Sequence, residues 1–466
     1  MEHTYDLSNI INFNPIYKKK ITTPKENGAT YTVVSVDLPF EVDERKEEQP
    51  AYPVGFNPEE NLYRSVILNE DETRLLSFSL TKSVPFSHFK EHFKEVDEVG
   101  EVGEVGEDES SRGVEWSSRF LITEIVEGTM INLWWDNERD KWQISTKKSV
   151  SGNYTYFKNP FINKQKTFKE MFIEAVGDFE SPEFGGSLSK KHFYSFVLRH
   201  PNNHIVYNVK EAEVYLVAVY EKTGDWQVKF VPQPEFEKWG ILPDAKLRYP
   251  IIYGSPSQTI TNYNDILAII EEDNKQITDK INEIVAKLAS GCGNTAEYCP
   301  YLTSYMMGVM IIDMETGIRT KIENKVYQYL KDLRGNHPSY KYKYYELVLT
   351  NRLNEFIYYF PQYTDLFMKL EDEFNTYVKS IYWYYVNKYI LKNPSISEKG
   401  KIPYRISHHI NYLHYGVYIP SVKLGEKKSI TLNMVYGYIW SMPIKSILYW
   451  MNYDSIMAKK NVNNEA

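Results

Sequence analysis

Between Lys331 and Tyr345 the chain sets four cations, Lys331, Arg334, Lys341 and Lys343, among four tyrosines, Tyr340, Tyr342, Tyr344 and Tyr345. Cations neutralise phosphates and ring faces stack on bases. This make-up therefore suits single-stranded nucleic acid, with Arg334, Tyr340, Lys341, Tyr342 and Lys343 as the candidate contacts. The run surrounds Gly335-Asn336-His337-Pro338 and reads as a loop, and a solvated loop has the same composition. His408, His409 and His414 lack the i, i+4 spacing that puts two metal ligands on one helix face, so they read as structural or surface groups. Cys292 and Cys299 lie in a loop without partner ligands. They read as free thiols, and no metal site is expected.

The elements that must position these groups change character along the chain. Residues 1–60 read as a loosely structured N-terminal extension with one strand at Thr30–Val36. Leu62–Ile67 and Leu75–Leu80 flank a polar turn and read as a hairpin. Phe120–Val126, Met130–Trp135 and Trp142–Ser145 read as an antiparallel meander. Thr167 with Glu170 three residues on is a capping-box start for a helix to Val176. Further strands are expected at Phe193–Leu198, His204–Tyr207 and Val214–Tyr220, and a hairpin at Val309–Asp313 and Gly317–Ile322. Tyr263 to Leu288 has helical spacing with one polar face. From Tyr345 onward strands give way to helices, including Leu347–Phe360 and Leu366–Ile390. The order is α+β followed by an all-helical tail.

The 466 residues exceed what one hydrophobic core usually serves. The net charge of -8 has a local source, because Glu95–Glu109 holds eight acids and no base and the remainder is neutral. That stretch belongs to an acidic, glycine-bearing insertion, residues 95–112, which repeats Glu-Val-Gly and reads as solvated and disordered. Lys325–Ala466 is the opposite, with 19 Lys and Arg against 11 acids and 22 of the 39 tyrosines. An AT-rich coding sequence would enrich Lys and Tyr without any ligand, so composition alone leaves the source open. No apolar run approaches the ~20 residues that span a bilayer, and the start has no signal or transit pattern. A cytoplasmic protein without a membrane partner is expected.

Five strings carry a resemblance: Glu124-Ile125-Val126-Glu127-Gly128-Thr129-Met130-Ile131, Ile144-Ser145-Thr146-Lys147-Lys148-Ser149, His200-Pro201-Asn202-Asn203-His204-Ile205-Val206, Met307-Gly308-Val309-Met310-Ile311 and Thr320-Lys321-Ile322-Glu323. In order and spacing, from about Leu62 to Tyr327, they resemble the motif series of the phage-type ATP-dependent RNA ligase family. That resemblance implies an RNA-ligase-like nucleotidyltransferase core of antiparallel sheets with helices over residues 61–327. A basic, Tyr-rich helical domain, residues 328–466, follows. Arg64, Glu127, Gly128, Lys147, Asn203 and Lys321 match family positions that bind nucleotide or phosphate.

The same alignment puts non-functional residues at four positions. The family's lysine nucleophile is Ile125, its third-motif glutamate is Val197, its fourth-motif glutamate is Met307, and the second lysine of its fifth motif is Glu323. An isoleucine cannot form a phosphoramidate. The resemblance thus implies a catalytically inactive, ligase-like protein that binds RNA or nucleotide in a recruitment or structural role, with no catalytic residue and no cofactor. One alternative is an active ATP- and Mg-dependent RNA ligase with a displaced nucleophile, Lys147 or Lys148, expected across the meander from Ile125. Another is a structural factor whose helical domain binds a protein partner. The family's membership also suggests a viral origin, with the host cytoplasm or the virion as location.

Overall fold

The computed structural model describes residues 3–12, 18–23, 28–35, 63–86, 89, 119–161, 164–181, 184–243, 245–254, 260–289, 303–397, 401–426 and 429–458. The acidic insertion 95–112, Cys292 and Cys299 lie outside them. Two compact units are formed, Met1–Phe157 with Asn163–Asn336, and Lys158–Ile162 with His337–Ala466.

Among the described residues, three sheets build the first unit. The largest has the order β1 (Thr4–Asp6), β12 (Gln227–Val231), β11 (Glu213–Lys222), β10 (His192–Arg199), β7 (Thr129–Asp136), β8 (Lys141–Thr146), β9 (Ser149–Val150). It is antiparallel along this path, and β13 (Leu247–Arg248) lies parallel beside β11. A second sheet runs β14 (Ile252–Tyr253), β6 (Phe120–Glu124), β15 (Gly308–Asp313), β16 (Arg319–Glu323). The third runs β2 (Lys18–Thr22), β3 (Thr30–Val34), β4 (Val66–Leu68), β5 (Leu75–Phe78).

Apolar burial decides how these layers stack. Tyr31, Val33, Ile67 and Phe78 of the third sheet join Trp134, Phe193, Tyr220 and Phe230 of the first in one core. Helix α1 (Phe168–Val176) covers the first sheet through Phe168, Phe172 and Ala175 against Phe196, Leu198 and Leu216. Its start is the expected capping box, with the Glu170 N–H donating to Thr167 Oγ1 at 3.2 Å and the Thr167 N–H to Glu170 Oε2 at 2.7 Å. Helix α2 (Tyr263–Ala289) closes the second sheet, Ile266 and Ile270 meeting Ile122, Val309 and Ile311. Helix α3 (Lys325–Arg334) begins at the Asn324 cap and stays with this unit.

The second unit is helical. It contains α4 (Tyr340–Leu349), α5 (Leu353–Tyr359), α6 (Thr364–Tyr385), α7 (Tyr404–Asn411), α8 (Leu432–Trp440) and α9 (Ile444–Met451), with π-helical turns at Val386–Ile390 and Tyr412–Tyr418. Its core is aromatic: Tyr344, Tyr345, Phe356, Phe367, Phe374 and Tyr377 are all buried. The α+β fold class with a helical C-terminal region is thus the architecture of the chain.

Three expectations need correction. Among the described residues of the first 60 there are three strands, β1, β2 and β3, because their edges find partners in β12 and β4 far along the chain. The meander is split, since β7 and β8 pair but β6 pairs β15 and β14 in another sheet. His204–Tyr207 forms no strand, because its backbone amides bond a side-chain carboxylate instead.

Candidate functional site

The crossing from β6 to β7 places the residues that matter. Its extended backbone leaves β6 with the Ile125 N–H donating to Gly308 O at 3.0 Å. It turns at Gly128, whose φ is +153° and whose missing side chain allows β10 to come close. A Cβ there would stand 2.5 Å from Leu198 O and 2.6 Å from Val197 Cγ1. Between them, buried Glu127 accepts from the N–H groups of Ile205, Val206 and Tyr207 at 2.8–3.1 Å and from the Tyr327 hydroxyl at 2.7 Å. Burial and the facing carboxylate push the Tyr327 phenol far above its ordinary value. The Arg199 Nε–H donates to Glu127 O at 3.1 Å, and the Arg199 guanidinium lies over Tyr207 and Tyr215. Glu127 is therefore the anchor that holds the His200–Tyr207 loop.

Two adjoining cavities open beside this anchor. The first, about 310 Å³, lies between the first and second sheets and contains Ile125, Val197, Met307 and Glu323, the four replaced positions of the resemblance. Arg64, Arg319, Lys321 and Lys331 also line it, on walls otherwise made apolar by Met130, Val217 and Met310. The second, about 300 Å³, is lined by Lys147, Asn203, Tyr154 and Tyr156 and shares Arg64, Glu127 and Gly128 with the first. All six matched residues thus converge on one double cavity.

Charge in the first cavity is unevenly satisfied. Lys321 Nζ is 2.6 Å from Glu323 Oε1, and Gln328 Nε2–H donates to Glu323 Oε2 at 2.7 Å. Burial would raise the Glu323 carboxyl, but these bonds outweigh it and hold it below its ordinary value. Arg64 and Arg319 differ, because the Nε of each is buried without a hydrogen-bond partner. Burial first, and the neighbouring Arg319 charge second, push Arg64 down to about 10. Burial likewise lowers Arg319. Two arginines that line one cavity, each with a buried Nε lacking a partner among the described residues, form a site that an anion would satisfy.

On its other side Ile125 faces a further cavity of about 380 Å³, lined by Tyr215, Tyr253, Tyr305, Glu124 and Asp273. Burial raises both carboxyls.

The remaining candidates separate. Lys147 lines only the second cavity and Ile125 only the first of the pair, and Lys148 is exposed in the β8–β9 turn. β6 and β8 belong to different sheets, so the two lysines do not lie across one meander from Ile125. The basic–aromatic run is helix α4 from Tyr340 onward, capped by Ser339, so the loop expectation is corrected. Lys341 and Lys343 are only 8% and 6% exposed and pair with Glu373 and Glu346. Tyr340 packs on Tyr363, Tyr342 stacks on His337 at 4.0 Å, and buried Arg334 lies over Phe157. Each of these contacts lies within its own unit. His409 is buried between the hydroxyls of Tyr377 and Tyr438, and His414 stacks on Tyr389 at 3.8 Å. Among the described residues no three His, Cys, Asp or Glu side chains gather in a metal-binding group.

Sequence reasoning missed Arg319, Tyr327 and the cavity role of Lys331. A signal existed for the first: Arg319, Lys321 and Glu323 alternate along β16, so three charged residues share one strand face, and all three line the first cavity.

No protein-family model matches the chain, and no curated protein matches it. Among solved structures, it is similar to a protein from Aquifex aeolicus assigned as an ATP-dependent DNA ligase, at 9% identity and a TM-score of 0.33, covering 90% of this chain and 79% of that one. It is also similar to an archaeal ATP-dependent RNA ligase, at 12% identity and a TM-score of 0.31, covering 72% of this chain and 64% of that one. Among the described residues no helix is long and apolar enough to cross a membrane.

Proposed function

We propose that this chain is a ligase-like binding protein that holds a phosphate-bearing ligand, a nucleotide or an RNA end, in the double cavity without covalent chemistry. The observation that carries this reading is the pair Arg64 and Arg319, the first half-buried and the second buried, each with a buried Nε that has no hydrogen-bond partner among the described residues, beside Ile125. Leaving such groups unsatisfied is costly, and a phosphate oxygen is the acceptor they suit.

The residues fit ATP as an anion and do not fit it as a reactant. ATP supplies an adenylyl group to a lysine amine in the ligases the sequence resembles, and at that wall the side chain is Ile125. Of the three carboxylates that line the first cavity, Glu127 is committed to three amides and a phenol and Glu323 to Lys321 and Gln328, which leaves Glu124 as a ligand for a magnesium ion, fewer than such a site requires.

A second reading keeps catalysis through Lys321 or Lys331, because these two lysines share the cavity with Ile125. Incubation with α-labelled ATP and magnesium, followed by denaturing electrophoresis, separates the two. The proposal expects no labelled band but a raised melting temperature with ATP, ADP or pyrophosphate, lost in Arg64→Ala. A covalent band abolished by Lys321→Ala or Lys331→Ala would establish the active enzyme in its place. Neither label nor thermal shift would leave a structural, protein-binding role.

A further inference from the structure

The helical unit separates its charges along the chain. Glu346–Glu373 contributes six acids, whereas Lys379–Lys460 carries twelve Lys and Arg against three acids, Glu398, Glu426 and Asp454. Within the basic part, Tyr404, His408, Tyr412 and Tyr415 follow at spacings of four, four and three, which keeps them on one side of α7 and the π-helical turn that continues it. The opposite side, Ile406, His409, Ile410 and Leu413, is buried. The stripe itself is open: Tyr404 is 63%, Tyr412 50% and Tyr415 65% exposed, and His408 is exposed too.

Each ring is also braced. Trp450 stacks on His408 at 4.5 Å and 16°, Tyr438 on Tyr412 at 4.8 Å and 16°, and Tyr453 lies against Tyr404 at 5.3 Å. Tyr415 meets His414 edge-on at 4.9 Å. Bracing removes the rotamer freedom that an exposed tyrosine would otherwise lose on binding. Four helical residues advance about 6 Å, so the rings repeat at an interval that an unstacked strand can follow. Exposed Lys401 and Lys423 stand near the two ends of the stripe in sequence.

We infer that this stripe is a stacking platform for single-stranded nucleic acid. A polyanion answers the net positive charge of the Lys379–Lys460 sequence, of which Lys401 and Lys423 flank the stripe, and bases supply flat faces for the open sides of the rings. The inference goes beyond the cavity reading and stands without it, because every residue it uses lies in the helical unit.

The test is fluorescence anisotropy of the full chain with a labelled oligouridylate and with an abasic strand of equal length and charge. The expected result at about 50 mM salt is that the oligouridylate binds at least about tenfold tighter than the abasic strand. Tyr415→Ala and Tyr412→Ala should each weaken binding about tenfold, with Tyr→Phe at either position restoring it. Unchanged melting temperatures in Tyr415→Ala guard against a folding artefact. Equal binding of the abasic strand would overturn the inference, as would indifference to both tyrosine changes. Binding abolished by Arg319→Met but untouched by the tyrosine variants would place the strand in the cavity and also overturn it. No binding at low salt would do the same and leave the face to a protein partner.

Discussion

Tyr327 donates its hydroxyl to Glu127 at 2.7 Å across 200 residues of sequence, tying α3 to the crossing between β6 and β7. The same carboxylate receives three consecutive amides, so one side chain joins the second sheet, the His200–Tyr207 loop and the helix that follows the last strand. Tyr327→Phe removes only one of four donors and should cost about 1–2 kcal/mol. Glu127→Ala leaves three amides, that of Val206 buried and those of Ile205 and Tyr207 partly so, without an acceptor and should cost more. Hydrogen exchange checks the pair: the amides of Ile205, Val206 and Tyr207 should exchange much faster in Glu127→Ala and little faster in Tyr327→Phe.

Gly128→Ala should be among the most damaging single changes in the first unit. The new methyl would sit 2.5 Å from a carbonyl oxygen of β10, and the backbone there cannot yield without breaking the β7–β10 ladder. Overpacking of this kind costs about 1–3 kcal/mol even where side chains can adjust. Urea unfolding followed by tryptophan fluorescence should show a lower midpoint. An unchanged midpoint would mean that β10 has room to shift.

Arg319→Met should separate stability from ligand binding. Removing a buried guanidinium that faces Arg64 without a carboxylate relieves desolvation and like-charge repulsion, so the free protein should gain about 1–2 kcal/mol. The melting shift produced by ATP or pyrophosphate should shrink at the same time. A variant less stable than wild type would show that Arg319 supports the fold.

These outcomes bear on what was legible in the sequence. The capping box at Thr167 and Glu170, the β7–β8 hairpin and the length of α2 follow from local spacing, because their partners lie within a few residues. Ile125, Val197, Met307 and Glu323, the four positions that the family resemblance singles out, line a single void, though the sequence does not say whether that space is open. Pairing of β6 with β15 was not legible, because nothing local to Phe120–Glu124 distinguishes Met310 from Leu133 as a neighbour. Ile205-Val206-Tyr207 has strand composition, but the nearby Glu127 carboxylate captures its amides. Lys341 and Lys343 read as solvent-facing because long cations usually are. Glu373, thirty-two residues on, and Glu346 draw them inward.

Charge reversal at Lys341 and Lys343 should accordingly act on stability. Lys341→Glu sets a buried carboxylate against Glu373, and Lys343→Glu does the same beside Glu346, at about 2 kcal/mol or more for the pair of changes. Melting of the purified double variant measures it. A fully stable protein with reduced affinity for oligonucleotides would instead restore these lysines as contacts.

The pH dependence of the helical unit should centre on His409. Burial pushes this imidazole down to about 3 from an ordinary value of 6.5, with the charge of His408 as a smaller cause. In the unfolded chain the group takes up its proton as pH falls through 6.5, while in the folded chain it stays neutral until pH approaches 3. The unfolded state therefore binds more protons throughout that window, and stability falls as pH falls, by about 1.4 kcal/mol for each unit below 6.5. Above 6.5 His409 is neutral in both states and contributes no slope. Carboxylates begin to titrate below about pH 5, so the interval from 7 to 5 reports on histidines, and because burial also lowers His414 in this unit, the comparison with a His409 variant is what isolates His409. Glutamine at this position can still meet the hydroxyls of Tyr377 and Tyr438, to which His409 Nε2 and Nδ1 are bonded at 2.8 and 3.1 Å, but it carries no proton to gain. Thermal melts of wild type and His409→Gln at half-unit steps from pH 7 to 5 should converge at the top of the range and show a steeper decline for wild type towards the bottom. Parallel curves for the two proteins would remove His409 from the account and assign the slope to other histidines.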